Sequence, residues 1–298
     1  MKILIIGANG QVGWELQRTL HTLGDVAACD LPVLDLSDAD SIRRKARDIR
    51  PDVIVNAGAY TAVDRAESEP ELALAVNGVA PGILAEEAKR LGALLVHYST
   101  DYVFDGTKDQ PYLESDVPNP ASVYGSSKLA GDRAIEAADG AHLIFRTSWV
   151  YGSRGKNFLL TMLRVANERD ELRVVDDQVG APTWCRTIAE GTAQVIAKLS
   201  TGDRVELDRA LGLRGTYNLT ARGCVSWCGF AKAIVEGTRS RRAGAAPKLT
   251  PITTAEYPLP ARRPANSVLS NQKLQETFGI FCPNWDHALT LCLADLAA

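Results

Sequence analysis

Neither sign of charge dominates this sequence. The formal net charge is −3, and no basic stripe runs along any segment, so the electrostatic footprint of a nucleic-acid binder is missing. Arg239-Ser-Arg-Arg242 is the one compact cationic run, and it reads as a solvated helix end. The six cysteines (Cys29, Cys185, Cys224, Cys228, Cys282 and Cys292) are scattered. Cys224 and Cys228 are spaced like neighbours on a helix face, and His21, His97, His142 and His287 do not gather around them. That argues against a metal centre and a disulfide framework, and fits reduced thiols in a cytoplasm. No apolar run is long enough to cross a bilayer, and Ile3-Leu-Ile-Ile6 is too short for the core of a signal peptide. Internal repeats and low-complexity tracts are absent as well. These absences leave a soluble cytoplasmic protein with no nucleic-acid or membrane partner.

What is present is apolar content of 46% spread over 298 residues, enough for one large domain or two intimate ones. Short apolar runs at Lys2–Ile6, Val26–Asp30, Asp52–Asn56, Leu94–Ser99 and Leu143–Arg146 read as buried strands. Between them Val12–Leu23, Ala39–Ile49, Glu71–Leu91 and Val123–Ala138 carry helical periodicity. Continuous apolar strands alternating with helices predict an α/β fold: a Rossmann-like, doubly wound parallel sheet with ligands outside the carboxyl ends of its strands. After Val150 the pattern loosens. Asn157–Arg169 and Thr187–Leu199 read as helices and Leu172–Val175 as a further strand, whereas Pro247–Pro251 and Tyr257–Pro264 read as irregular. The expectation is a dinucleotide-binding domain over residues 1–150, to which later helices return, and a smaller, irregular substrate domain over 151–298.

Gly7-Ala-Asn-Gly10-Gln-Val-Gly13 follows the first strand directly. Gly7 allows the turn, Gly10 lets backbone approach a phosphate, and Gly13 lets the helix pack closely on the sheet. The helix N-terminus then offers N–H groups and partial positive charge to a pyrophosphate. Asp30 ends the second predicted strand, 20 residues beyond Gly10, where a carboxylate accepts from ribose hydroxyls and repels a 2′-phosphate, a lean toward NADH over NADPH. Asp35 and Leu36 lie in the next loop, placed to frame an adenine. The small residues of Asn56-Ala-Gly-Ala-Tyr60-Thr61 let backbone run beside a cofactor.

Tyr124-Gly-Ser-Ser-Lys128 puts a phenol and an ammonium one helical turn apart. Carbonyl reduction needs a proton donor, and tyrosine with a free pKa of about 10 is a poor one at neutral pH. A neighbouring ammonium is expected to lower it. Thr100, at the end of a predicted strand, is placed to donate to the same carbonyl oxygen. Trp149, at the end of another, reads equally as core or as the wall of a sugar or base pocket.

With GANGQVGWELQ, RPDVIVNAGAYTAVDRAESEP, VHYSTDYVFDG, VYGSSKLAGD, FRTSWVYG, DDQVGAPT and PARRPANS in place, the chain resembles the extended short-chain dehydrogenase/reductase family over nearly its full length. Within it, the match is to members acting in dTDP-L-rhamnose synthesis for cell-surface polysaccharide. The resemblance implies reduction of the C4 ketone of a dTDP-sugar, dTDP-4-dehydro-β-L-rhamnose, by NADPH or NADH. It implies Tyr124 as proton donor, Lys128 as its tuner and ribose anchor, and Thr100 as partner of the carbonyl oxygen. Cofactor contacts carry over to Gly10, Gln11, Val12, Asp30, Asp35, Leu36, Ala59, Tyr60 and Thr61, and substrate contacts to Thr100, Asp101 and Trp149. Some members dimerise around Mg2+ held by acidic side chains. Glu15 and Asp295 match two of these, but Arg186 stands where a further carboxylate would be, so the expectation is no metal and a monomer or a homodimer made otherwise.

Two other readings stay open on the residues alone. One is an epimerase or dehydratase of the same family, using the Tyr-Lys pair with retained NAD; Thr100-Asp101-Tyr102 offers it only one carboxylate. The other is a non-catalytic, cofactor-binding regulatory subunit. Arg262 and Arg263 are candidates for pairing with a substrate pyrophosphate.

Overall fold

The computed structural model describes residues 1–239 and 245–296. Of the cationic run, Ser240, Arg241 and Arg242 lie outside the described residues. The main sheet contains β1 (Lys2–Ile6), β2 (Asp25–Cys29), β3 (Val53–Asn56), β4 (Leu94–Thr100), β5 (His142–Thr147) and β6 (Gly215–Asn218). Its strand order is β6-β5-β4-β3-β1-β2, with every pair parallel. The helices used below are α1 (Gln11–Leu20), α2 (Ala39–Ile49), α3 (Ala80–Leu91), α4 (Val123–Ala138), α5 (Phe158–Glu168), α6 (Cys185–Lys198), α7 (Trp227–Gly237) and α8 (Trp285–Asp295).

The strands are apolar along their length because both faces are covered. Ile3, Ile5, Val53, Val55, Val96 and Phe145 point to one side, against Leu16 and Leu20 of α1 and Ile188 and Val195 of α6. Their alternates Leu4, Ile6, Ile54, Leu95 and Ile144 point to the other, against Ile42 of α2, Leu84 and Ala88 of α3 and Ile135 of α4. The period-two alternation thus divides one apolar run between two cores. A further core joins α5, α7 and α8 through Leu159, Phe230, Ile234, Leu289 and Cys292.

The sequence expectations differ from the structure at particular places. Gly215-Thr-Tyr-Asn218, to which the sequence pattern assigns no element, is edge strand β6 beside β5. The irregular reading of Pro247–Pro251 is corrected: Lys248–Ile252 is a strand pairing in parallel with Glu171–Val175. The single helix expected over Glu71–Leu91 is interrupted by a π-helical turn at Ala75–Val79. Cys224 is exposed and lies ahead of α7, so it does not share a helix face with buried Cys228.

Between β1 and α1 the backbone packs on itself. Gly7 has φ +81°, and a Cβ there would meet the Gly58 nitrogen at 2.5 Å; a Cβ on Gly13 would fall 2.0 Å from the Gly7 oxygen. No flexible side chain is available to yield at either contact. Gly13→Ala is therefore expected to lower stability by about 1–3 kcal/mol, measured as a shifted denaturation midpoint; an unchanged midpoint would mean that the turn tolerates displacement.

Candidate active site

Because β2 and β3 flank β1 on opposite sides, the chain reverses direction across the sheet there. A crevice at this switch point, at the carboxyl ends of the strands, is where doubly wound sheets hold ligands. Two features fit it to a dinucleotide. Gly10 precedes α1 with no side-chain cap, and no acidic residue sits in the helix's first turn. The N–H groups at this end are thus left for an anion, with the helix dipole behind them.

The residues expected at this end converge in part. Asp30 Oδ2 accepts from Asn9 N and Oδ1 from Leu31 N, each at 2.8 Å. The carboxylate therefore anchors the glycine turn, and each oxygen keeps a lone pair for a further donor. Asp35 accepts from the backbone and hydroxyl of Ser37. The Leu36 side chain lies against Gly58. Gln11 accepts from Asn157 Nδ2 at 2.8 Å, tying the turn to the segment after β5. Val12 packs toward the core. Beyond β3, Ala59 is partly buried and Thr61 exposed. Tyr60 gives its hydroxyl to Glu69 at 2.6 Å and its N–H to Asn77 at 2.9 Å.

The chemical end is built where β4 meets α4. Ser122 caps α4 by accepting from Gly125 N at 3.1 Å, which places Tyr124 in the first turn and Lys128 one turn on. Thr100 ends β4, donates to Asp101 Oδ1 at 3.0 Å and accepts from Tyr102 N at 3.2 Å. Burial pushes the Tyr124 phenol up to about 12, with a hydrogen bond to Thr100 pulling the other way. The lowering expected from the Lys128 ammonium does not occur. Nζ is drawn instead to β4, donating to Tyr98 O at 2.5 Å and lying 3.1 Å from His97 Nε2. Lys128 is itself brought down to about 8, chiefly by burial. Asp101 is pushed up to about 7 by burial, against hydrogen bonds from Ser267 and Thr100.

Beyond the chemistry, Trp149 adopts φ +46° and stacks on Trp227 of α7 with ring centroids 3.5 Å apart. Trp227, Phe158 and Gln178 help to wall a cavity of about 1050 Å³, with Arg262 also lining it. Arg263 lines it too, but its guanidinium fork is engaged by Asp64 at 2.9 and 2.8 Å. Of the two arginines expected to pair with a pyrophosphate, Arg263 is thus held by Asp64 and Arg262 is the more exposed cation.

Sequence reasoning missed Asn77, His97 and Trp227. Asn77 bonds the Tyr60 backbone through both ends of its amide and reaches Ser127 Oγ at 3.1 Å. The available signal was a polar residue inside an otherwise apolar element, which burial obliges to find partners.

The acidic side chains linked to Mg2+ do converge, but on a cation. Arg186 lies 3.3 Å from Glu15 and 2.5 Å from Asp295, and stacks on Trp184. A divalent ion among these groups would face a fixed positive charge, so the donor set does not suit one. Among the described residues, no group of three or more His, Cys, Asp or Glu gathers elsewhere in a way that could hold a metal. Among them, too, no helix is long and apolar enough to cross a membrane.

Comparison with known proteins bears on this geometry. The family model described as RmlD substrate binding domain matches residues 1–298. The chain is 54% identical to a dTDP-4-dehydrorhamnose reductase of Burkholderia thailandensis, over 99% of each chain. It superposes on the crystal structure of such a reductase from Clostridium acetobutylicum with a TM-score of 0.89, at 38% identity and 100% coverage of both chains. The reductase from Bacillus anthracis, solved in complex with NADP, gives 0.88 at 34% identity and 99% coverage of both. The strand-order switch at β1 with its uncapped helix, the Tyr-Lys pair on α4 and these end-to-end matches lead to one conclusion: the chain belongs to the dTDP-4-dehydrorhamnose reductases, within the extended short-chain dehydrogenase/reductase family.

Proposed function

We propose that the protein reduces the C4 ketone of dTDP-4-dehydro-β-L-rhamnose to the alcohol of dTDP-L-rhamnose, in the cytoplasm, as a monomer or a homodimer. One observation carries the reading: Thr100 at the end of β4 is hydrogen-bonded to the Tyr124 phenol, and Lys128, one turn further along α4, has its Nζ on Tyr98 O of the same strand. When bound, NADPH or NADH supplies the hydride that attacks the carbonyl carbon. Gly7, Gly10, Gln11, Val12 and Gly13 form the turn for its pyrophosphate. Asp30 takes the adenosine ribose, with Asp35 and Leu36 near the base, and Ala59, Tyr60 and Thr61 run alongside.

Tyr124 carries the chemistry of the other half-reaction. Its phenol holds its proton firmly and releases it only to the strongly basic alkoxide oxygen that develops at C4. Thr100 steadies the same oxygen, and Lys128, held against β4 one turn along α4, serves as the ribose anchor. Asp101 is held partly protonated near neutral pH, so it serves a sugar hydroxyl as donor or acceptor. The nucleotide fits the 1050 Å³ cavity, its base against Trp227 and Phe158, its diphosphate toward Arg262, and Trp149 backing the aromatic wall.

Tyr124→Phe should cut kcat by about 10²–10⁴-fold with cofactor binding retained, followed as NADPH and NADH oxidation with the ketone made in situ. Full turnover by this variant would end the assignment. Asp30→Ser should raise the kcat/KM ratio of NADPH to NADH about tenfold, by removing repulsion of the 2′-phosphate; an unchanged ratio would free Asp30 of that role.

Asp101 gives a stability test. Its pKa in the folded protein, about 7, lies above the unfolded value of about 3.9, so the folded state binds the extra proton and loses stability as pH rises between the two. Asp101→Asn removes that loss. Its stability advantage over the unmodified protein should grow by at most ~1.4 kcal/mol per pH unit from about pH 4 to 7 and then level off. Denaturant midpoints across pH read this directly, and a pH-independent difference would contradict it.

A further inference from the structure

β4 is apolar from Leu94 to Val96, and then a histidine stands in the interior. His97 is 1% exposed. A buried imidazole must satisfy two ring nitrogens. Nδ1 lies 3.1 Å from Asn56 Nδ2, and Nε2 lies 3.1 Å from Lys128 Nζ. Asn56 Oδ1 accepts from Gly58 N at 3.2 Å, and Gly58 is the residue against which Gly7 packs. A line of contacts therefore runs from the cofactor loop, through Asn56 and His97, to the lysine of α4.

Counting protons along the line couples its ends. With Asn56 Oδ1 held by the Gly58 N–H, the amide nitrogen donates to His97 Nδ1. A neutral imidazole accepting there carries its proton on Nε2. That proton points at Nζ, which accepts it only as a neutral amine. Were the Asn56 amide turned over, Nδ1 would carry the proton and Nε2 would accept from an ammonium, and the Gly58 N–H would face a donor in place of its acceptor. The lysine's proton is thereby tied to the orientation of one amide in the cofactor loop.

Taking Lys128 as part of the reduction proposed above, we propose that His97 is a positioning residue: it fixes Nζ against β4 and links the lysine's protonation to the loop at Gly58 through Asn56. Burial acts in the same direction, holding His97 well below its ordinary pKa and bringing Lys128 to about 8. Other titratable groups border the lysine. Tyr124 lies one turn before it on α4. Asp132 lies one turn after it, pushed up to about 6 by burial, with Arg146 of β5 behind at 3.6 Å.

The test is a pH series of kcat and of KM for NADPH with three substitutions. His97→Gln places an amide near the Nε2 position, whereas His97→Asn reaches only the Nδ1 position and His97→Leu neither. The glutamine variant should stay within about threefold of the unmodified enzyme with its pH profile retained. The asparagine and leucine variants should lose about tenfold or more in kcat and shift the profile by about one pH unit. Wild-type behaviour of those two overturns the proposal, as does an equal loss in all three with an unshifted profile, which would mean packing alone. Should the variants not fold, ¹⁵N NMR of the imidazole in the wild type and in Lys128→Met decides: a fixed neutral tautomer whose Nε2 signal moves on substitution supports the contact, and an unmoved signal refutes it. An inactive wild type would instead undo the reductase reading while leaving the NMR result to stand.

Discussion

The contact on which the rest of the site depends is backbone against backbone, at the turn from β1 into α1. A side chain at Gly13 would sit 2.0 Å from the Gly7 oxygen, and one at Gly7 would run into Gly58. Without those side chains α1 seats directly behind β1, and its uncapped N-terminus opens at the switch point of the sheet. The same approach brings the loop after β3 beside the turn, and Asn56 extends that loop's reach into the protein. Position, dipole and proximity to the chemistry thus follow from the absence of two Cβ atoms.

Burial, more than pairwise charge, sets the electrostatic character of the catalytic cleft. Tyr124 and Asp101 are pushed up and Lys128 is brought down, so each is shifted toward its neutral form. Desolvation outweighs the attraction expected of a phenol and an ammonium one turn apart, because Nζ is drawn to the carbonyl and imidazole of β4. A cleft of this kind keeps its proton until an alkoxide forms within it. That suits a reaction whose strongest base exists only in the transition state.

Much of this was legible in the sequence where one residue's environment decided its identity. The continuous apolar strands and the glycine turn specify a covered parallel sheet, and Tyr124 and Lys128 fall on α4 as their spacing requires. What stayed hidden depends on distant partners. β6 has only Thr and Tyr between Gly and Asn, and it is a strand because β5 offers it an edge. Lys248–Ile252 overrides its proline by pairing with Glu171–Val175. The engagement of Arg263 by Asp64 spans 199 residues, and no local pattern announces it. His97 was visible as a polar interruption, but its partners lie on β3 and α4.

The junction of α1, α6 and α8 carries the same lesson into charge. Glu15 is 4% exposed, and a carboxylate so placed is costly to bury without a countercharge. Arg186 supplies it from α6 and reaches Asp295 on α8 as well, with its guanidinium lying over Trp184. A cation tethered to the chain satisfies both carboxylates at once and cannot be removed by a chelator. This chain neutralises the two carboxylates with one side chain. The cohesion of these three helices therefore draws on an ion pair that the sequence itself supplies.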